Sequence, residues 1–157
     1  MVDLVDPTGM INRLEVLIAL RLQVRRHWRI RIHHSGHGEE TLGAWCTQNE
    51  EKIKLSDLLA LVDWNTIISI TCDNCYASNF VTQAAEMHAK KQLHLYDLTI
   101  ICFSDSDSPT KWGASQELYN RATKRARFGN CSEQFKEAFE KHVSKHGFGY
   151  YHWNKNG

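Results

Sequence analysis

Two short segments of this 157-residue chain combine the side chains that covalent catalysis uses, His33-His34-Ser35-Gly36-His37-Gly38 and Cys72-Asp73-Asn74-Cys75-Tyr76-Ala77-Ser78. A thiol with an ordinary pKa near 8.5 is only a few per cent ionised at neutral pH, but a neighbouring imidazole can take its proton or stabilise its thiolate. Cys75 is therefore the candidate nucleophile and His37, 38 positions upstream, the candidate base. Gly38 puts no side chain beside a reacting carbonyl, so its N–H and that of Cys75 are the candidate oxyanion hole. Glycines on both sides of His37 permit the close approach that such a loop needs.

Elements that bring residues 37 and 75 together must lie upstream of each. Ile11, Leu14, Ile18, Leu22 and Arg25 recur at helical spacing, which predicts an amphipathic helix over 11–26 after turn chemistry at Asp6-Pro7-Thr8-Gly9, capped by Thr8 or Asn12. Residues 27–34 alternate polar and apolar side chains, a short strand entering the loop Ser35-Gly36-His37-Gly38. A hairpin over 42–54 turning at Gln48-Asn49-Glu50, and a short helix over 55–62 capped by Ser56, come next. Residues 64–71 and 95–103 are β-branched and nearly uniformly apolar, as strands buried on both faces are, with a helix over 80–92 between them. Beyond the loop at 104–109, helices are expected over 115–127 and 132–146 and an edge strand over 148–153. This alternation predicts one α/β domain over 1–157, a three-layer sandwich around a mostly parallel sheet. Ligands of open parallel sheets bind beyond the carboxyl ends of the strands, where His37 and Cys75 both fall. The helix after Cys75 adds a dipole favouring a thiolate.

Composition narrows the alternatives. A net charge of +1 gives no strong overall field, so neither nucleic acid nor an anionic membrane is the expected partner. The apolar stretches Leu14–Leu22 and Ile67–Ile70 are interrupted or too short to span a bilayer, and Asp3 and Asp6 stand where a signal peptide would be basic and apolar. The expected location is the cytoplasm. Five cysteines, an odd number irregularly spaced, do not read as a disulfide framework; Cys72 reads as a core residue, and Cys46, Cys102 and Cys131 as core or surface thiols without a chemical role. His33 and His34 read as structural.

Ser35-Gly36-His37-Gly38 after a strand, then a hairpin, a short helix and a strand ending Asp73-Asn74-Cys75, resembles the caspase-like fold of clan CD cysteine peptidases. Upstream, Thr8-Gly9-Met10-Ile11-Asn12-Arg13-Leu14 is similar to the start of the helix before the histidine strand, so the resemblance covers about residues 8–105. Asp73, two residues before the candidate nucleophile, makes the match closer to metacaspases than to animal caspases. The resemblance implies a cysteine endopeptidase with a Cys75–His37 dyad and a specificity pocket formed by Asp73 with Ser35. A carboxylate there selects a protein or peptide substrate with Arg or Lys before the scissile bond. Calcium activation is a known trait of metacaspases, for which Asp105 and Asp107 are the candidates here against the plainer reading of a solvated loop. The dyad itself needs no cofactor and no metal.

Two features depart from the family pattern. Tyr76-Ala77-Ser78 stands where metacaspases usually carry His-Ser-Gly, and the chain has no room for the strand, helix and strand that precede the family's histidine strand. The first two strands are thus expected to be missing and the chain shortened at its N-terminus. The histidine strand would then expose an edge to a second copy or to the missing segment.

Two rival functions use the same residues. One is a catalytically inactive caspase-like interaction module, which the shortened start favours and the retained Cys75–His37 pair disfavours. The other is a zinc-dependent nucleobase deaminase, because His37-Gly38-Glu39 followed by Cys72 and Cys75 approximates the H-x-E and C-x-x-C ligand pattern of such enzymes. Against it, Thr71 replaces the usual proline, and glycines flank His37 where a helix is needed. The cluster Lys124-Arg125-Ala126-Arg127 reads as a solvated helix end.

Overall fold

The computed structural model describes residues 12–47, 49–103 and 149–157. The turn at 6–9, Asp105 and Asp107, the helices expected over 115–127 and 132–146, Cys131 and the Lys124–Arg127 cluster lie outside the described residues.

Helix α1 (Arg13–Arg26) starts where Asn12 Oδ1 accepts the N–H of Glu15 at 2.9 Å, the cap expected from sequence. Its orientation is not the expected one. Leu14, Ile18 and Leu22, the stripe that marked the helix in the sequence, are exposed, while Leu20 and Val24 are buried and Val16 and Leu17 pack beside them. Both stripes are apolar, and the arginines decide between them. Arg13 donates from Nε to the Lys52 carbonyl at 3.0 Å and pairs with Asp57 at 3.1 Å. Arg21 donates to the Leu61 carbonyl at 2.8 Å and pairs with Asp63 at 2.9 Å. Residues 13, 17, 20, 21 and 24 share one helical face, so satisfying the two guanidiniums turns that face inward.

Strand β1 (Arg29–Gly36) follows, then the hairpin β2 (Trp45–Cys46) and β3 (Lys52–Ile53), which pair antiparallel. Helix α2 (Leu55–Leu59) is started by the Asp57 carboxylate, which accepts the Lys54 N–H at 2.8 Å, rather than by Ser56. Strand β4 (Ile67–Asn74), helix α3 (Asn79–Ala89), strand β5 (Asp97–Cys102) and strand β6 (Gly149–Asn154) complete the described elements. The sheet order is β1-β4-β5-β6, with the first three strands parallel and β6 antiparallel to β5. This is a mixed α/β fold with a mostly parallel four-stranded sheet. Among the described strands β1 stands at one end of it.

Alternation assigns the faces. Ile30 and Ile32 of β1, Ile68, Ile70 and Cys72 of β4, Leu98, Ile100 and Cys102 of β5, and Tyr151 and Trp153 of β6 join one apolar cluster with α1, α2 and α3. Burying each large aliphatic side chain there contributes about 1.5–3 kcal/mol relative to leaving it in water. The opposite face carries His33, Ser35, Ser69, Thr71, Asp73, Thr99 and Ile101, of which Ser69, Thr71, Thr99 and Ile101 are buried. The strand preceding the candidate site is longer than expected, since Ser35 and Gly36 belong to β1 and not to a loop.

Candidate active site

Parallel pairing of β1 with β4 sets the site. The register runs from Arg29 opposite Ile67 to Gly36 opposite Asn74, so the two strands end level. His37 and Cys75 are therefore the first residues beyond two adjacent strand ends. Their separation in sequence is absorbed by the hairpin, α2 and the start of β4.

Gly38 then closes onto Cys75. A Cβ at Gly38 would lie 1.9 Å from the Cys75 carbonyl oxygen and 2.4 Å from Asn74 Nδ2, a space that only hydrogen can occupy. Gly38 faces Trp45 in an antiparallel bridge whose hydrogen bonds come from the flanking residues, Glu39 N–H to Ala44 at 2.8 Å and Cys46 N–H to His37 at 3.0 Å. The bridge leaves the N–H of Gly38 itself outside the ladder. One turn further on, Gly43 adopts φ +64°, where its absent Cβ would lie 2.3 Å from the Tyr76 carbonyl oxygen. Loop 37–44 is thus laid backbone to backbone along residues 74–76.

Asn74 ties the two together. It is fully buried, and its Nδ2 donates to the Gly43 carbonyl at 3.1 Å and to the Cys75 carbonyl at 2.9 Å. Sequence reasoning passed over this residue. The signal was available, because an amide on a buried strand must find partners, and backbone at the strand end and in the neighbouring loop can supply them. Tyr76 takes φ +60°, the left-handed conformation that a non-glycine residue adopts at a cost of roughly 1 kcal/mol. Its carbonyl accepts the Asn79 Nδ2 at 3.0 Å and the Asn79 backbone N–H at 3.2 Å, so the turn at Tyr76-Ala77-Ser78 is held by the start of α3.

The other histidines divide between the two faces. His34 stacks on Trp45 with centroids 4.6 Å apart, and Trp45 stacks in turn on Phe80 at 5.9 Å. Burial lowers the pKa of His34 to about 4, against a raising hydrogen bond from the His37 backbone and with a smaller lowering effect from His33. His34 is therefore a neutral structural ring beneath the loop that carries His37. On the opposite face Ser35 pairs in register with Asp73, and His33 stands two positions earlier, opposite Thr71. Desolvation lowers the His33 pKa while the charge of Asp73 opposes the shift, which marks His33 as a near neighbour of that carboxylate.

The remaining candidates are dispersed. Cys72 is fully buried in the helix-covered core opposite Cys102, whose thiol donates to the Ala77 carbonyl at 3.1 Å and is pushed well up by burial and by Cys72. The Glu39 carboxylate accepts the Leu42 N–H at 2.8 Å and both the N–H and the hydroxyl of Thr41. Desolvation raises the Glu39 pKa, but these bonds prevail and hold it below the usual value. His37, Glu39, Cys72 and Cys75 are consequently not gathered, and no group of three or more His, Cys, Asp or Glu side chains among the described residues is arranged to hold a metal ion. Cys46 is half-buried, and burial raises its pKa.

No protein-family model matches the chain, and no curated protein matches it. The fold is similar to the crystal structure of protein GSU0716 from Geobacter sulfurreducens, a structural-genomics target, with TM-score 0.57 and 14% identity over 93% of this chain and 74% of that one. No helix of the described residues is long and apolar enough to cross a membrane.

Proposed function

We propose that the chain is a cysteine endopeptidase of the caspase-like type, nearest to metacaspases, that cleaves after Arg or Lys. The observation that carries this reading is the level ending of β1 and β4, with Gly38 pressed against the Cys75 carbonyl. In this mechanism the His37 imidazole takes the Cys75 thiol proton, and the sulfur adds to the scissile carbonyl carbon. The resulting oxyanion accepts the N–H groups of Gly38 and Cys75. His37 returns the proton to the departing amine as the C–N bond breaks, leaving a thioester on Cys75. Water, deprotonated by His37, then attacks that thioester and restores the thiol.

Asp73 and Ser35 form the pocket for the residue before the scissile bond. Their register pairing supports this, as does the electrostatic reach of Asp73 to His33 on the same face. A caspase-like three-layer sandwich is the architecture that goes with this reading, and the burial of Thr99 and Ile101 on the face opposite the described helices supports a further layer there. Calcium activation and pairing of β1 with another strand are parts of the same proposal.

The test uses peptides ending in Arg- or Lys-aminocoumarin, with Asp-aminocoumarin as comparison, each with and without calcium. Wild type is expected to release fluorophore from the basic substrates, and Cys75→Ala and His37→Ala to release none. Equal release by wild type and Cys75→Ala overturns the peptidase reading.

A further inference from the structure

The sheet carries a second concentration of functional side chains at its other end, about 25 Å from Cys75 for an eight-residue strand. Trp28 stands before β1, Trp64 and Asn65 before β4, and Tyr96 before β5, and with Ile67 they line an open cleft of about 340 Å³. Trp28 is 56% and Trp64 70% exposed, the two most exposed aromatic rings beside one opening. The Ile67 N–H donates to the Trp28 carbonyl at 2.6 Å and the Lys155 N–H to the Tyr96 carbonyl at 2.9 Å, so the platform is backed by sheet hydrogen bonds.

Both tryptophan rings carry a cation. The Arg29 guanidinium carbon lies 5.0 Å from the Trp28 ring centre, and the Lys155 ammonium 6.0 Å from that of Trp64. Arg25 and Arg26 are exposed in the last turn of α1, immediately upstream. The nearest acids in sequence are already engaged, Asp63 by Arg21 at 2.9 Å and Asp97 by His152 and Asn154, each at 2.9 Å. The four cations Arg25, Arg26, Arg29 and Lys155 outnumber these two acids although the whole chain carries only +1.

We propose that this cleft binds single-stranded nucleic acid, with bases stacked on Trp28 and Trp64 and phosphates against Arg29 and Lys155. The combination of two exposed tryptophan rings, each with a cation over it, selects this ligand. A neutral sugar has no use for the cations, a simple anion none for the rings, and an acidic peptide offers no extended π face. Base stacking on tryptophan tolerates any sequence, and the base that stacks displaces the cation from the ring toward its flanking phosphate. The proposal is independent of the peptidase reading, because it uses the opposite end of the sheet.

The test measures fluorescence anisotropy of a labelled twelve-nucleotide oligothymidylate with the full chain, beside an abasic deoxyribose-phosphate strand of equal length. The oligothymidylate is expected to bind at least about fivefold more tightly than the abasic strand, with quenching of tryptophan emission. Trp64→Ala and Trp28→Ala should each weaken it by about tenfold, and Lys155→Ala should lower the salt slope by about one phosphate contact. Equal binding of both strands, unaffected by the tryptophan variants, would mean polyanion attraction alone and overturn the proposal, as would no binding. The abasic comparison needs no variant, so it decides the matter even if a substitution unfolds the chain.

Discussion

His34 links the stability of the site to pH in a way that can be measured. Its ring is packed between the loop of His37 and Trp45, and burial lowers its pKa from 6.5 to about 4. The native state thus holds it neutral, while the unfolded chain binds a proton below about pH 6.5. The unfolded state therefore binds more protons between those values, and stability falls as pH falls through that window. The contribution is fully present above the unfolded value and is lost as pH descends to about 4. At pH 5 the linkage relation gives a loss of about 2 kcal/mol relative to pH 7, with a limit of roughly 3 kcal/mol below pH 4. Urea titrations at pH 7 and pH 5 would report this as a midpoint drop of about 1 M, for a slope near 2 kcal/mol/M. His34→Phe keeps a ring on Trp45 and removes the titration. Its own stability at pH 7 will differ, because the bond to the His37 backbone is gone, but its pH 7 to pH 5 drop should be smaller than that of wild type by about 2 kcal/mol. Equal drops in the two proteins would refute the account of His34 as a buried neutral ring.

Other expectations concern the backbone contacts and the thiols. Gly38→Ala would drive a methyl group into the Cys75 carbonyl and Asn74, neither of them a flexible chain end. It should cost about 3 kcal/mol by denaturation and, on the proposed mechanism, about 100-fold or more in kcat. Asn74→Ala removes both bonds to the loop and should cost about 1–3 kcal/mol in the same urea assay, whereas a cost under about 0.5 kcal/mol would mean that the loop is held by other contacts. Asp73→Asn should lower kcat/KM for Arg-aminocoumarin by about thirtyfold or more while leaving the protein folded, and an unchanged ratio of Arg to neutral substrates would remove Asp73 from the pocket. Alkylation of the native chain at pH 7, mapped by mass spectrometry, should label Cys75 ahead of Cys72 and Cys102, which are fully buried.

Much of the scaffold was legible because its signals are local. Ile67–Ile70 and Leu98–Ile101 declare buried strands by β-branching, Asn12 declares a cap, and the order of helices and strands follows from them. The orientation of α1 was not legible, because two apolar stripes compete on that helix and the choice depends on Arg13 and Arg21 reaching Lys52, Asp57, Leu61 and Asp63, about 40 positions away. The extension of β1 through Gly36 was hidden for a related reason. Ser35-Gly36 has turn composition, yet pairing with Asp73 and Asn74 overrides local preference. Within the candidate site, His37, Gly38 and Cys75 stood out by residue type, whereas Asn74 and Gly43 act only through contacts that the closed loop creates.

Those contacts explain how a short loop can be positioned. Four of these ties converge on two carbonyls. Cys75 is fixed by Asn74 Nδ2 and the close approach of Gly38, and Tyr76 by Asn79 and the close approach of Gly43. Holding a carbonyl from two sides leaves its peptide plane little freedom, and the orientation of the next N–H follows from that plane. The left-handed Tyr76 belongs to the same arrangement, since its strain persists only where neighbours over-determine the backbone. Beneath the loop, His34, Trp45 and Phe80 form a stacked column from β1 to α3, joining the histidine segment to the helix that follows the cysteine. The level strand ends place residues 37 and 75 just beyond adjacent strands, and the glycines let the loop approach the Cys75 and Tyr76 carbonyls. The column keeps the two segments from sliding, which a dyad requires if a proton is to pass between a ring and a sulfur at hydrogen-bond range.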